Sequence, residues 1–488
     1  MKVFLINPDY LLYPFPPLGL AYIAGYIKKY IPKADIKILD QIPKERIIER
    51  ILNEKPDVIG FSSTSPHHWK VKKLAVEIKK FYSKGIFVLG GIHVTNCPTT
   101  IENSPFDIGV LGEGEITFKK LLENIEKNNG INFNELKKIS GFAFEYKGRF
   151  YNTGNGERIE NLDDTPIPPR ELLNMDYYSF PSFSNKYTFE PTGLMFTSRG
   201  CPYSCSFCSS VKFWGRCVKF FSAERVTEEI EILYKKYHYK IIQIYDDLFS
   251  MNKPRLRQII ELLKRKKILG KIKFKVFGRG NCFDEEIALL LKELNVVEVS
   301  FGIETGSERM LKYLKDSITL QDDIKAIELC REYGIQPLGA FMIGMPYETE
   351  EDLKDTYEFI KKYIHDRFVI AQMSPLPNTP VWDYAIKNNL IKKDIFEEED
   401  RRFLDFDENY SLSLDTPKEV LRSYWFKILS LGPSDVFGWR KVLEIFEPSN
   451  QFGIKKMFTL RWRHITYLSH PVFLQKIYNL GIKREKQG

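Results

Sequence analysis

Residues 198–210 read Ser-Arg-Gly-Cys-Pro-Tyr-Ser-Cys-Ser-Phe-Cys-Ser-Ser and place Cys201, Cys205 and Cys208 in a C-x3-C-x2-C array. The array follows directly on the apolar run Leu194-Met195-Phe196. Three thiolates packed this closely on a polar loop suit one face of an iron–sulfur cluster, where cysteine sulfur is the usual ligand. A full cage takes four ligands, and no fourth cysteine follows at motif spacing. One iron would then stay open to a substrate or cofactor, which points to chemistry and not to simple electron storage. Two alternatives compete. A structural zinc site takes four ligands, usually as paired C-x2-C units or with histidine, and no second pair occurs here. Three unrelated core thiols would have to crowd into a short, polar, proline-containing loop.

A chain of 488 residues is long enough for several domains with large cores. Its net charge of +8 is a modest, dispersed excess that gives no argument for a nucleic-acid partner. Met1-Lys-Val-Phe-Leu-Ile-Asn-Pro8 breaks too early for a signal peptide and reads as a first strand. No apolar run approaches the roughly 18 residues that a spanning helix needs, so no transmembrane segment is expected. Seven cysteines, an odd number without an export signal, favour a reducing, cytoplasmic location with free thiols or metal ligands. Cys217 lies close enough to the array to rival an external fourth ligand; Cys97, Cys282 and Cys330 read as ordinary structural residues.

Residues 1–130 alternate strand and helix patterns. Val3–Asn7, Ile36–Leu39, Asp57–Ser62, Ile86–Leu89 and Asp107–Leu111 read as strands; Leu18–Tyr30, Lys44–Asn53, Trp69–Tyr82 and a segment from Thr117 read as helices. This order predicts a doubly wound parallel sheet, which binds ligands beyond the carboxyl ends of its strands. Those ends carry Asn7, Ser62-Ser63-Thr64, Gly90-Gly91 and Gly112-Glu113-Gly114-Glu115. No G-x-G-x-x-G follows the first strand, which weakens a dinucleotide reading. Residues 131–190 form a connector, with a hairpin around Gly141–Tyr151 and a proline-rich strap over Asn161–Arg170.

Residues 191–400 hold six further strands, Leu194–Thr197, Ile241–Tyr245, Ile272–Phe277, Val296–Gly302, Pro337–Ile343 and Val369–Met373. Ser222, Asn252 and Thr349 stand where helix N-caps belong, and Gly334 where a helix should stop. Six β/α units make a partial version of the eight-unit barrel, whose closed form takes about 250 residues and keeps its active site at the strand carboxyl ends. Five of the six strand ends carry a charged or glycine-containing group, among them Asp246-Asp247, Arg279, Glu304 and Gly344-Met-Pro346, and the sixth ends in the proline-rich Pro375–Pro380. Residues 401–488 read as a helical cap: Thr416–Leu429 has the pattern of a helix, and the basic, aromatic stretch from Lys455 onward allows a solvated face or a peripheral membrane contact.

The C-x3-C-x-aromatic-C array, with Phe207 as the aromatic, resembles the signature of the radical S-adenosylmethionine (radical SAM) enzymes. Pro16–Ala24, the Ser/Thr turn, the Gly-Gly pair and Gly-Glu-Gly-Glu resemble the cobalamin-binding domain at the front of one large subgroup of that family. The fold this implies is α/β, a doubly wound (Rossmann-like) cobalamin domain, then a partial (β/α)6 TIM-like barrel and a small helical cap. Cys201, Cys205 and Cys208 would hold a [4Fe-4S] cluster whose open iron chelates S-adenosylmethionine. Phe207, Asp246, Asp247, Arg279, Glu304, Gly344 and Pro346 would contact that molecule: carboxylates suit its amine and diol, arginine its carboxylate, and backbone near glycine its adenine. Asn7, Ser62, Ser63, Thr64, Gly90, Gly91, Gly112, Glu113 and Gly114 would contact cobalamin, small residues letting a flat ring approach the backbone. The Asp-x-His-x-x-Gly motif of mutase carriers is absent; His67, His68 and His93 lie on the expected ligand face but read as polar loop residues, so no histidine ligand to cobalt is expected. The resemblance implies reductive cleavage to a 5'-deoxyadenosyl radical and methyl transfer through methylcobalamin to an unactivated carbon or phosphinate phosphorus. A cobalamin-linked oxidative or ring-forming step is the alternative, and a non-catalytic cobalamin sensor a third reading. The expected partners are a small-molecule or lipid-like substrate and a low-potential electron donor such as flavodoxin or ferredoxin.

Overall fold

The computed structural model describes residues 1–8, 16–40, 46–178, 180–183, 189–397, 407 and 409–432. The basic stretch from Lys455 onward lies outside the described residues.

The first sheet contains β1 (Lys2–Asn7), β2 (Asp35–Asp40), β3 (Val58–Ser62), β4 (Ile86–Gly90), β5 (Ile108–Val110), β6 (Phe142–Tyr146) and β7 (Arg149–Asn152). Their spatial order is β2-β1-β3-β4-β5-β6-β7, the first five parallel and the last two antiparallel. The strand period of two explains the layering. Val3, Leu5, Val58 and Val88 enter one core, while Phe4, Ile6, Ile59, Phe61, Phe87 and Leu89 enter a core on the opposite face. The order reverses between β1 and β3, and such a switch point opens a crevice beyond the strand ends. The hairpin expected in the connector forms as β6–β7 and extends this sheet.

The second sheet contains β8 (Phe180–Phe183), β9 (Phe189–Met195), β12 (Ile241–Ile244), β13 (Lys273–Gly278), β14 (Val296–Glu304), β15 (Gln336–Ile343) and β16 (Phe368–Gln372). Between β9 and β12 the small strands β10 (Ser198–Arg199) and β11 (Lys219–Phe220) form an antiparallel pair. Six parallel strands run β9-β12-β13-β14-β15-β16, with β8 antiparallel on the outer edge of β9. This is the partial barrel expected from the sequence. Ser222 and Asn252 accept from the backbone N–H three residues on, and Thr349 completes a capping box with Asp352.

Helix Leu18–Tyr30 joins the two halves. Leu20, Ala21, Ala24 and Ile27 pack on the first sheet, whereas Leu18, Tyr22 and Tyr26, four residues apart, enter the barrel core. Gly25 is required by the strap: a Cβ there would lie 3.0 Å from Pro169 Cδ and 3.2 Å from Pro166 Cγ. Arg170, at the strap's end, is buried and paired with Glu229 at 2.6 Å while donating to the Leu194 carbonyl at 2.9 Å. Helix Lys418–Leu429 places Leu421, Tyr424, Trp425 and Ile428 against the barrel core. Its preceding Thr416 does not cap it; the hydroxyl donates to the Glu348 carbonyl at 2.5 Å.

Candidate active site

The cysteine loop leaves β10 through Gly200, whose φ of +98° and close approach exclude any side chain: a Cβ would stand 2.2 Å from the Cys217 carbonyl oxygen. The loop is anchored at its root by Asp246. This buried carboxylate accepts from Thr197 N–H at 2.6 Å, from Ser198 Oγ at 2.7 Å and from the Thr197 hydroxyl. Further along, Ser206 N–H donates to the Leu314 carbonyl at 2.8 Å, and Ser204 Oγ to Asp316 at 3.0 Å. Phe207 packs with the cluster of Met310, Leu314, Met345 and Met373 at the barrel mouth.

Arg279 lies across the same loop. Its guanidinium stacks on Tyr203 at 3.8 Å, donates to Asn281 Oδ1 at 3.0 Å and to the Asp316 carbonyl, and stands 3.5 Å from Cys205 Sγ. These partners make it a brace for the loop, with a donor turned toward one thiol. Burial pushes the Cys201 thiol up to about 11 and the Cys208 thiol up to about 12. Both are therefore neutral near pH 7 until a metal displaces the protons, as metal binding to thiols requires.

Two more strand ends, and Asp323 in the helix Leu320–Glu332, carry charge into the interior. Glu304 closes β14 at a register shift, with φ +73°, a backbone state that a non-glycine residue holds only under tertiary constraint. Its carboxylate is 4.0 Å from Lys315 Nζ; burial raises its pKa, and Lys315 and Arg279 oppose that rise. Gly344, φ +77°, and Met345 donate their N–H groups to Glu348 at 2.6 and 3.2 Å, which shapes the turn holding the buried Pro346. Burial pushes Glu348 up to about 8. Asp323 is buried with both carboxylate oxygens unpartnered; burial pushes it up to about 7, and it abuts Gly280, where a Cβ would lie 2.4 Å from Asp323 Oδ1.

A cavity of about 300 Å³ lies between the two sheets. Ser62, Gly90, Gly91, Gly112, Glu113 and Gly114 line it from the first domain; Phe196, Ser198, Gly200, Tyr245 and Asp247 line it from the barrel. Gly19 faces the same space, and a Cβ there would meet nothing within 4 Å. Asp247 accepts from Ser210 Oγ at 3.1 Å. Arg199 bolts the two walls together: it is 3.1 Å from Glu113, 2.7 Å from Glu115, and its guanidinium lies 4.9 Å over the Tyr22 ring. The helix expected from Thr117 begins at Gly114, so Gly114-Glu115 open its first turn, with Glu113 at the N-cap and Gly112, φ +77°, still in the loop. Acidic groups belong there because the turn presents unpaired N–H groups.

The structure thus brings Asp247, Ser62, Gly90, Gly91, Gly112, Glu113 and Gly114 to one space beside the root of the cysteine loop. Arg279, Glu304, Gly344 and Pro346 ring the barrel mouth outside that cavity's lining. Asn7 instead donates to Asp40 at 3.2 Å, and Ser63 and Thr64 turn to His68 and His67. Arg199, Glu115, Asp323 and Glu348 were given no role of their own from the sequence. Arg199 stood inside the cysteine stretch and Glu115 and Glu348 in glycine-containing strand ends, whereas Asp323 carried no signal.

A three-thiol loop at the mouth of a six-strand parallel half-barrel, facing a switch-point sheet, defines a cluster enzyme with an attached ligand-binding domain. The profile of the radical SAM superfamily matches residues 195–360, and that of the B12 binding domain residues 9–122. The chain is 36% identical over 382 residues to an uncharacterized methyltransferase of Pyrococcus horikoshii, covering 77% of this chain and 80% of that protein. It is 28% identical over 392 residues to the anaerobic magnesium-protoporphyrin IX monomethyl ester cyclase of Rubrivivax gelatinosus, covering 77% and 68%. The fold is shared with the radical S-adenosylmethionine methyltransferase TsrM from Kitasatospora setae, solved with cobalamin and a [4Fe-4S] cluster. The TM-score is 0.70 at 19% identity, over 89% of this chain and 90% of that one. The chain belongs to the radical SAM superfamily, in the branch that carries a B12 binding domain.

Proposed function

We propose that this chain methylates an unactivated carbon, or a phosphinate phosphorus, of a small-molecule or lipid-like substrate as a cobalamin-dependent radical SAM enzyme. The observation that carries the reading is the shared cavity, walled on one side by glycine-rich strand ends and on the other by the root of the cysteine loop. When bound, the cluster supplies the electron that cleaves S-adenosylmethionine and the corrin supplies the methyl group.

The residues present fit these groups. Three thiols on a braced loop match three irons of a cluster and leave the fourth open. The Arg279 N–H beside Cys205 Sγ stabilises negative charge on that sulfur and so favours the reduced cluster. Gly19 and Gly90 keep side chains out of the space in which a flat ring would lie, and Gly91, Gly112 and Gly114 line it with backbone. Asp247 faces that space and is placed to receive an ammonium group, while Glu304 does so from the barrel mouth. Asp246, with its acceptor sites taken up by Thr197 and Ser198, positions the loop instead. Phe196, Tyr245 and Trp214 line the cavity and exclude water.

Replacing Cys205 by Ala tests the reading. Iron content and 5'-deoxyadenosine production should both be lost while corrin affinity stays. Undiminished deoxyadenosine would contradict it, and loss of nothing but ligand affinity would favour a sensor. The similarity to the Rubrivivax gelatinosus cyclase supports a ring-forming step as a second reading. Deoxyadenosine without S-adenosylhomocysteine during turnover would favour that step.

A further inference from the structure

Behind the Ser62 and Gly91 rim of the cavity, two histidines are stacked in a dry site. His68 begins helix His68–Phe81 and His93 lies in helix Ile92–Asn96; their rings are 4.0 Å apart and 23° from parallel. Both are buried, at 0% and 2% exposure. From the segment after the barrel comes Glu397, whose Oε1 is 3.7 Å from His68 Nε2. One ligand atom from each of the three lies within 4.8 Å of the others, and this is the grouping of that kind found among the described residues.

The supporting contacts point to an ion. Ser63 Oγ lies 3.2 Å from His68 Nδ1, and Ser65 Oγ lies 3.1 Å from His93 Nδ1. A ring held at one nitrogen and presenting the other is the usual arrangement of a metal-bound histidine. His93 Nε2 has no hydrogen-bond partner although it is fully enclosed, which a buried polar atom avoids at a cost of about 1–3 kcal/mol. Lys72 takes the outer carboxylate oxygen of Glu397 at 2.5 Å and leaves Oε1 turned to the histidines. Thr100 Oγ1 stands between them, 3.1 Å from His68 Nε2 and 3.0 Å from Glu397 Oε1, as a neutral oxygen donor.

We propose that His68, His93 and Glu397 bind a divalent ion of the zinc type, which clamps the first domain to the segment following the barrel. Two imidazoles and a carboxylate suit zinc better than calcium or magnesium, which take oxygen donors. Zinc at about 2.1 Å from each ligand needs them roughly 3.4 Å apart. The His68–Glu397 separation of 3.7 Å closes by a few tenths of an ångström, whereas the two histidine rings must turn off their stack to aim at one point. The ion would also stiffen the cavity rim, because His93 N–H donates to the Ser63 carbonyl at 3.1 Å. The proposal stands apart from the function proposed above.

The test is made on the full chain with its cluster loaded, equilibrated anaerobically with buffered Zn2+ alone. Metal content and zinc-edge X-ray absorption are measured on wild type, His93→Gln and Glu397→Gln. The expected result is one zinc per chain with nitrogen and oxygen neighbours, and affinity at least about tenfold weaker in both variants, with iron content unchanged. Glu397→Gln keeps an acceptor for Thr100, so it reports even where His93→Gln perturbs folding. No retained zinc, retention equal in all three proteins, or sulfur neighbours to the zinc would each overturn the proposal.

Discussion

Replacing Arg199 by Met removes the cation that pairs with both Glu113 and Glu115 while keeping most of the side-chain bulk. Arg199 is 8% exposed, its two terminal nitrogens are 3.1 and 2.7 Å from the two carboxylates, and its plane covers Tyr22. Removing one member of a buried ion pair costs about 3–5 kcal/mol, because the remaining charge is left desolvated. Counting instead two charge-assisted hydrogen bonds at about 1.5–3 kcal/mol each gives about 3–6 kcal/mol, which overlaps that range. The net expectation is a loss of about 3–5 kcal/mol in the transition that separates the two domains. Trp214 lines the cavity and reports that transition by fluorescence in an anaerobic denaturant titration. Arg199→Lys should recover less than half, since a single ammonium does not span two carboxylates. A double-mutant cycle with Glu115→Gln should show a coupling above about 1 kcal/mol. An Arg199→Met protein within about 0.5 kcal/mol of wild type, the range of ordinary surface changes, would refute the bolt.

Three further outcomes follow from the site. Asp246→Ala should lower iron content and destabilise the chain by about 3 kcal/mol or more through its lost acceptor contacts. S-adenosylmethionine affinity of the cluster-loaded fraction should be unchanged; a selective loss of that affinity would make Asp246 a ligand contact instead. Gly19→Leu should leave folding unchanged or improve it by up to about 1 kcal/mol, since a helical glycine is entropically costly. Corrin retention on gel filtration should fall, because the new side chain enters open space; wild-type retention would count against the cavity. Glu348, raised from 4.5 to about 8 by burial, keeps in the fold a proton that the unfolded chain has released. Stability is therefore highest below the unfolded value and falls as pH rises from about 4.5 to about 8, by on the order of 4–5 kcal/mol. Glu348→Gln should remove that part of the slope in unfolding curves taken across the window, and equal slopes in both proteins would contradict it.

What was legible in the sequence was local. Short apolar runs marked most strands of both sheets, and Ser222, Asn252 and Thr349 cap the helices where their side chains said they should. The cysteine array named its own chemistry, because ligand spacing is a local property. Roles set by distant partners were not legible. Asp246 and Asp247 are neighbours of one type, yet one anchors Thr197 and the other faces the cavity. Arg279 reads as a carboxylate clamp until Tyr203, Asn281 and Asp316 are seen around it. Helix Leu18–Tyr30 shows a single apolar pattern in sequence, but two partners divide it, Leu20 and Ala24 facing the sheet and Tyr22 and Tyr26 the barrel. The early start of the helix at Gly114 was hidden because glycine at such a turn reads as loop, whereas pairing with Arg199 holds it helical.

Central to the account is one space that serves both the corrin and the cluster. Its most direct test uses anaerobically purified, cluster-reconstituted protein given methylcobalamin, S-adenosylmethionine and a low-potential reductant. The visible spectrum is recorded after gel filtration, together with 5'-deoxyadenosine and S-adenosylhomocysteine. Corrin co-eluting with the protein and both products formed is the predicted result, one product reporting radical initiation and the other methyl supply. Protein that cleaves S-adenosylmethionine yet elutes free of corrin would contradict it.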